Sequence, residues 1–164
     1  MSEDIDRIIA ANRDYAAAFD ASSRPVRPRR GLAVVACMDS RMDIFALLGL
    51  EVGDAHVIRN AGGIVTDDVI RSLCLSQRLL GTRQIVLVHH TDCGLEGVDD
   101  EEFSATLEDA VGAKPAWEAG GFTDAFEDVR ASIRRIAGSP FIPHRDAVAG
   151  FVYDVDTGRL EPVA

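Results

Sequence analysis

Two short stretches of this 164-residue chain carry residue types that bind soft metals and handle protons. The first is Cys37-Met38-Asp39-Ser40-Arg41 and the second is His90-Thr91-Asp92-Cys93-Gly94. Two thiolates and an imidazole are good ligands for Zn²⁺, which favours tetrahedral sites built from nitrogen and sulfur. The H-x-x-C spacing suits two ligands from one turn, His90 and Cys93, with Cys37 arriving from a distant segment. Three protein ligands and one open position is the pattern of a catalytic site; a closed structural site needs a fourth ligand. Cys74, between Leu73 and Leu75 in a helical pattern, reads as a small core residue. His89 points to the opposite face from His90 if the strand reaches that far. Asp39, two residues from Cys37, stays open as an alternative fourth ligand.

Both stretches must be positioned by the elements that precede them. Leu32 to Ala36 and Gln84 to Val88 are short apolar runs suited to strands buried on both faces. Ala55 to Ile58 reads as a strand between them. A short helix over 43–49 follows the first strand. Thr66 opens a second helix that runs to Leu80, where Gly81 stops it. The order βαβαβ implies a parallel sheet with right-handed crossovers. In such sheets ligands sit beyond the carboxyl ends of the strands, near the point where strand order reverses, and both chemical stretches begin at such ends.

The rest of the chain frames this unit. Ile5, Ile8, Ile9, Asn12, Tyr15, Ala16 and Phe19 recur at helical spacing, predicting an amphipathic helix over 3–21. The linker SSRPVRPRR sets it apart, so residues 1–30 read as a helical arm that buries its apolar face on a partner subunit. Downstream, the acidic run 99–102 reads as a solvated face before a helix near 104–112. A helix over 123–137 and an extended stretch over 139–143 follow. The strand 149–155 enters a terminal hairpin with 159–162. The fold class is therefore α/β: one domain over 1–164, a mainly parallel central sheet flanked by helices, an N-terminal helical arm and a C-terminal antiparallel edge strand.

Composition narrows the function. Apolar residues are 47%, charged residues 27%, and the net charge is −10. These proportions exclude a disordered tail or a collagen-like repeat. The negative charge disfavours nucleic acid and anionic membrane as partners. No apolar run approaches the ~18 residues of a membrane span. The N-terminus is acidic and amphipathic, so a cytoplasmic location is expected. Three widely spaced cysteines suit ligands or core thiols better than disulfides.

Taken together, C-x-D-S-R at 37–41, Arg59-Asn60-Ala61-Gly62-Gly63 and H-x-x-C-G at 90–94 resemble the β-class carbonic anhydrases, over roughly residues 3 to 160 and most closely the short microbial forms. The resemblance implies reversible hydration of CO₂ to bicarbonate and a proton, in a homo-oligomer that is at least a dimer. It implies one Zn²⁺ per chain on Cys37, His90 and Cys93. Asp39 would orient a zinc-bound hydroxide, and Arg41 would hold Asp39 ionised and off the metal. Ser40, Asn60, Ala61, Gly62, Gly63 and Gly94 would line the site, with Gly62-Gly63 supplying positive φ beside it. The chain departs from some members: Pro28 replaces a substrate-binding Gln, and Val34 and Ala36 replace the Trp and Gly of the subclass with an inhibitory bicarbonate pocket. Neither that pocket nor a resting Asp39–zinc bond is expected.

Two competing functions fit the same scaffold. A hydrolase of carbonyl sulfide or carbon disulfide would use the same metal to attack a linear heterocumulene. A catalytically inactive zinc-binding interaction protein would not need Asp39 and Arg41. A nucleotide-binding protein is disfavoured because no glycine-rich turn follows the first strand, and a disulfide oxidoreductase because no C-x-x-C pair exists.

Overall fold

The apolar run after the linker forms β1 (Leu32–Cys37), and the chain continues through α2 (Ile44–Leu48), β2 (Ala55–Asn60), a 3-10 turn (Ala61–Gly63), α3 (Asp67–Arg78) and β3 (Gln84–His90). Then come α4 (Asp100–Val111), α5 (Ala125–Gly138), β4 (Val148–Tyr153) and β5 (Leu160–Val163), with α1 (Glu3–Ala17) leading. The computed structural model describes residues 2–20 and 25–164.

The five strands lie in the order β2-β1-β3-β4-β5. β1 pairs in parallel with both β2 and β3, β3 pairs in parallel with β4, and only β5 runs antiparallel. The chain leaves β1 for one neighbour, β2, then crosses to the other, β3. The strand order therefore reverses at β1/β3, and Cys37 and His90 end these two strands.

Alternation sorts the core. Ala33, Val35, Ile85 and Leu87 pack with Val69 and Leu73 of α3 and with Ile136 and Ile142. Val34, Ala36 and Val88 pack with Met42, Ile44 and Leu50 around α2. Period-2 side chains from strands buried on both faces explain why the sequence reads as unbroken apolar runs. Helix boundaries follow local chemistry. The Asp43 side chain accepts from Ala46 N at 3.2 Å and Thr66 Oγ1 accepts from Val69 N at 3.3 Å, each satisfying an otherwise orphaned amide. Gly49, at φ 58°, ends α2 in the left-handed region.

Several expectations need correction. Helix α1 stops at Ala17 rather than near 21; residue 21 and the linker residues 22–24 lie outside the described residues. Helix α4 starts at Asp100, not 104, because the Asp99 side chain caps it, accepting from the amides of Glu101 and Glu102 at 2.9 Å. The acidic run is solvated, with Asp99, Glu101 and Glu102 exposed, and it also forms the cap and first turn, where negative charge meets the positive end of the helix dipole. Residues 140–144 form turns rather than an extended stretch, as two prolines three residues apart favour. Cys74 is half-buried instead of in the core, because α3 turns it away from the sheet.

The arm behaves differently from the core. No residue of α1 is buried, and Ile5, Ile8, Ile9, Tyr15 and Phe19 are exposed. Past the linker the chain is tied down. Arg29 N and Arg30 N donate to the carbonyls of Gly53 and Asp54, and both guanidinium groups reach the Asp54 carboxylate. No described helix is long and apolar enough to cross a membrane.

Candidate metal centre

Cys37, His90 and Cys93 meet at the β1/β3 strand ends, all buried, with their ligand atoms within 4.8 Å of one another. The His90 tautomer follows from its neighbour. Nδ1 lies 2.8 Å from the Thr91 carbonyl oxygen, which can only accept, so Nδ1 carries the proton. Nε2 is left with a lone pair, fully buried and without a hydrogen-bond partner. A ligating histidine fixed through its other nitrogen is the usual arrangement at metal sites.

The thiols support the same reading. Burial pushes the Cys37 thiol up, while the backbone amides of Asp39 and Gly62, and any proton that His90 Nε2 takes up, pull it down. Burial, with repulsion from Cys37, pushes Cys93 up to about 11. A thiolate at Cys37 opposes a second one at Cys93. A divalent cation between them would remove that opposition and favour both thiolates. The residues fit a zinc ion.

Beside the cluster, Asp39 and Arg41 form a bidentate pair. Arg41 Nε donates to Asp39 Oδ1 at 3.0 Å and NH2 donates to Oδ2 at 2.8 Å, while the Arg41 amide donates to Oδ1 at 2.8 Å. These bonds hold the Asp39 carboxyl well below the usual carboxylate range. Asp39 Oδ2 lies 3.8 Å from His90 Nε2. Val34 and Ala36 are fully buried in the sheet.

The lining residues divide. Gly63, at φ 71°, sits so close to β1 that a Cβ would fall 2.7 Å from Cys37 N. Gly62, at φ 73°, would meet Leu95 at 2.9 Å. Both glycines are thus required by backbone shape, as expected. Asn60 holds the same turn, donating from Nδ2 to the Ile64 carbonyl at 2.9 Å. Ala61 opens the turn that carries the two glycines. Ser40 and Gly94 are exposed, and a Cβ at Gly94 would meet nothing within 4 Å. His89 turns away from the cluster: its Nε2 lies 2.6 Å from Asp128 Oδ2 of α5.

Two residues here escaped the sequence reading as individuals. Arg59 donates from Nε to the Cys37 carbonyl at 2.8 Å and from NH2 to the Asp39 carbonyl at 2.6 Å, clamping the loop that carries the pair. A charged residue inside a strand pattern was its available signal. Asp92 accepts from Arg41 NH1 at 2.7 Å; its position between His90 and Cys93 reads as mere spacing.

The Cys-His-Cys cluster and the Asp39 carboxylate thus sit beyond the ends of β1 and β3, where the order of the sheet reverses. A sequence profile of the carbonic anhydrase family matches residues 32–160. The β-carbonic anhydrase 1 of Mycobacterium tuberculosis is 51% identical over 158 residues, covering 96% of each chain. A carbonic anhydrase structure from Streptococcus mutans superposes with a TM-score of 0.92 at 42% identity, covering 100% of this chain and 99% of the other. A carbon disulfide hydrolase of Acidithiobacillus thiooxidans is 37% identical over 156 residues, covering 80% of this chain and 71% of that protein. The chain belongs to the β-carbonic anhydrase family and is an enzyme of that family.

Proposed function

We propose that this protein catalyses the reversible hydration of CO₂ to bicarbonate and a proton at one zinc ion per chain, held by Cys37, His90 and Cys93. The observation that carries the reading is the buried, unpartnered His90 Nε2 facing two thiols, with a clasped carboxylate 3.8 Å away. Zinc bound there would supply Lewis acidity that makes a water nucleophilic near neutral pH. The chain's own groups do the rest. Asp39, kept ionised by Arg41, can only accept hydrogen bonds. It therefore selects a reacting group with a proton to give and turns that oxygen's lone pair toward CO₂. Arg41 also keeps Asp39 from competing for the metal position. Thr91 holds the imidazole in its ligating orientation, and Arg59 fixes the Asp39 loop.

The protein works as at least a dimer in this reading, with the substrate pocket near the subunit interface. Support comes from α1, where Ile5, Ile8 and Ile9 are exposed, and from Met38, 64% exposed beside the site. Three free cysteines suit a reducing, cytoplasmic setting. Hydrolysis of carbon disulfide or carbonyl sulfide is the second reading, favoured by the similarity to a carbon disulfide hydrolase but at lower identity than to the β-carbonic anhydrase.

Stopped-flow CO₂ hydration by zinc-replete protein at alkaline pH tests the proposal. A rate well above the uncatalysed background, abolished in Cys93→Ser, is expected. Sedimentation of the same sample is expected to give a dimer or larger. Absence of CO₂ turnover with one zinc per chain, alongside release of sulfide from carbon disulfide, would transfer the assignment to the second reading.

A further inference from the structure

Arg41 is held from two sides. Its side chain gives two hydrogen bonds to the Asp39 carboxylate. On the other side NH1 donates to Asp92 Oδ2 at 2.7 Å and NH2 donates to the Asp92 carbonyl oxygen at 2.8 Å. One guanidinium thus bridges the loop after β1 and the loop after β3. Asp92 can meet it with both its carbonyl and its carboxylate because of its backbone. At φ 54° it is the only non-glycine residue with positive φ among the described residues. Aspartate is among the few side chains that tolerate this conformation.

The local energetics give this second grip a purpose. The Arg41 side chain is 44% exposed, and exposed ion pairs by themselves hold weakly because water and entropy compete. Asp39 Oδ2 is already 3.8 Å from His90 Nε2. An arginine free to wander would release that carboxylate toward the metal position. The Asp92 side chain is 80% exposed, so it fills no core space and its removal leaves no cavity. Its contacts go to the residue that holds the Asp39 carboxylate.

We propose that Asp92 is a positioning residue, a latch that anchors Arg41 from the metal-ligand loop so that Asp39 stays on the arginine and off the metal. The inference rests on the CO₂-hydration reading for its kinetic consequence, while its structural content stands apart from it. Because Asp92 lies between His90 and Cys93, the latch ties the state of the Asp39–Arg41 pair to the loop that holds two of the metal ligands.

Two substitutions separate side chain from backbone. Asp92→Gly keeps the left-handed turn and the carbonyl contact but removes the carboxylate. Asp92→Asn keeps an acceptor oxygen and also tolerates the turn. Both are prepared as zinc-loaded full-length protein, with zinc per chain, kcat and KM measured and the zinc-loaded Asp92→Gly protein crystallised. The expectation is full zinc occupancy, little change in KM, and a kcat lowered about tenfold or more in Asp92→Gly and largely restored in Asp92→Asn. In the crystal, Asp39 is expected to have parted from Arg41. Three results would overturn the latch: both variants within about twofold of the parent in kcat, a loss fully accounted for by missing zinc, or an Asp39–Arg41 pair unchanged in the Asp92→Gly crystal. If the parent protein fails to hydrate CO₂, the functional reading falls, and the crystal comparison of parent and variant still decides the latch.

Discussion

His89 and His90 are adjacent in β3, of the same residue type and both fully buried, yet they belong to two different regions of the molecule. His89 faces α5, where its Nε2 sits 2.6 Å from Asp128 and its ring lies 5.8 Å from that of Phe122. His90 faces two thiols and leaves its Nε2 unpartnered among the described residues. The difference shows that a buried histidine's role is set by what meets it. A carboxylate holds His89 through Nε2. Its Nδ1 is also buried without a hydrogen-bond partner, but no group of metal-ligating side chains meets there among the described residues. His90 turns its unpartnered Nε2 toward two thiols, and that convergence, rather than the missing hydrogen bond alone, is the mark of a metal site.

The largest effect is expected on the His90 side. His90→Ala removes one of three ligands, so purified protein should carry almost no zinc by elemental analysis and show background CO₂ hydration. Near-stoichiometric zinc in that variant would erase the distinction between the two faces. His89→Ala should do the opposite, retaining about one zinc per chain while losing about 2–4 kcal/mol of stability to denaturant, through a cavity and the loss of the partner of Asp128. Loss of zinc without loss of stability would break the comparison from the other side.

The smallest effect sharpens the electrostatics of the metal side. Arg41 lowers the Asp39 pKa below its unfolded value of ~3.9. The stabilisation from that pair is therefore fully present above the unfolded value and lost as pH falls through the folded one. In zinc-free protein, Asp39→Asn should be less stable than the parent by about 0.5–1 kcal/mol near neutral pH, the modest figure due to a partly exposed pair. That gap should narrow below pH ~4. A gap independent of pH would mean that Arg41 does not stabilise the carboxylate in solution.

Much of the site was legible because its parts are local. C-x-D-x-R and H-x-x-C place ligands and helper within a few bonds of each other, and period-2 alternation alone predicts that His89 and His90 part company. The backbone demands at Gly62 and Gly63 were also readable, since two adjacent glycines beside a strand end point to positive φ. Helix ends were less so. Asp99 looks like one more acid in an acidic run until the structure shows its carboxylate on two amides.

The amino-acid order by itself determined the strands, the nearness of Asp39 and Arg41 to Cys37 and of His90 to Cys93, and an arm whose apolar residues recur at helical spacing. These depend on short-range sterics and periodicity, which the chain carries wherever it goes. Tertiary structure alone decided that β1 and β3 are neighbours, so that Cys37 reaches His90 and Cys93. It also decided that Asp128 comes back to His89 and that Asp92 turns left-handed to hold Arg41. Those meetings join residues far apart in the chain or hang on one unusual backbone angle. Only the packed sheet supplies the energy that holds them in place.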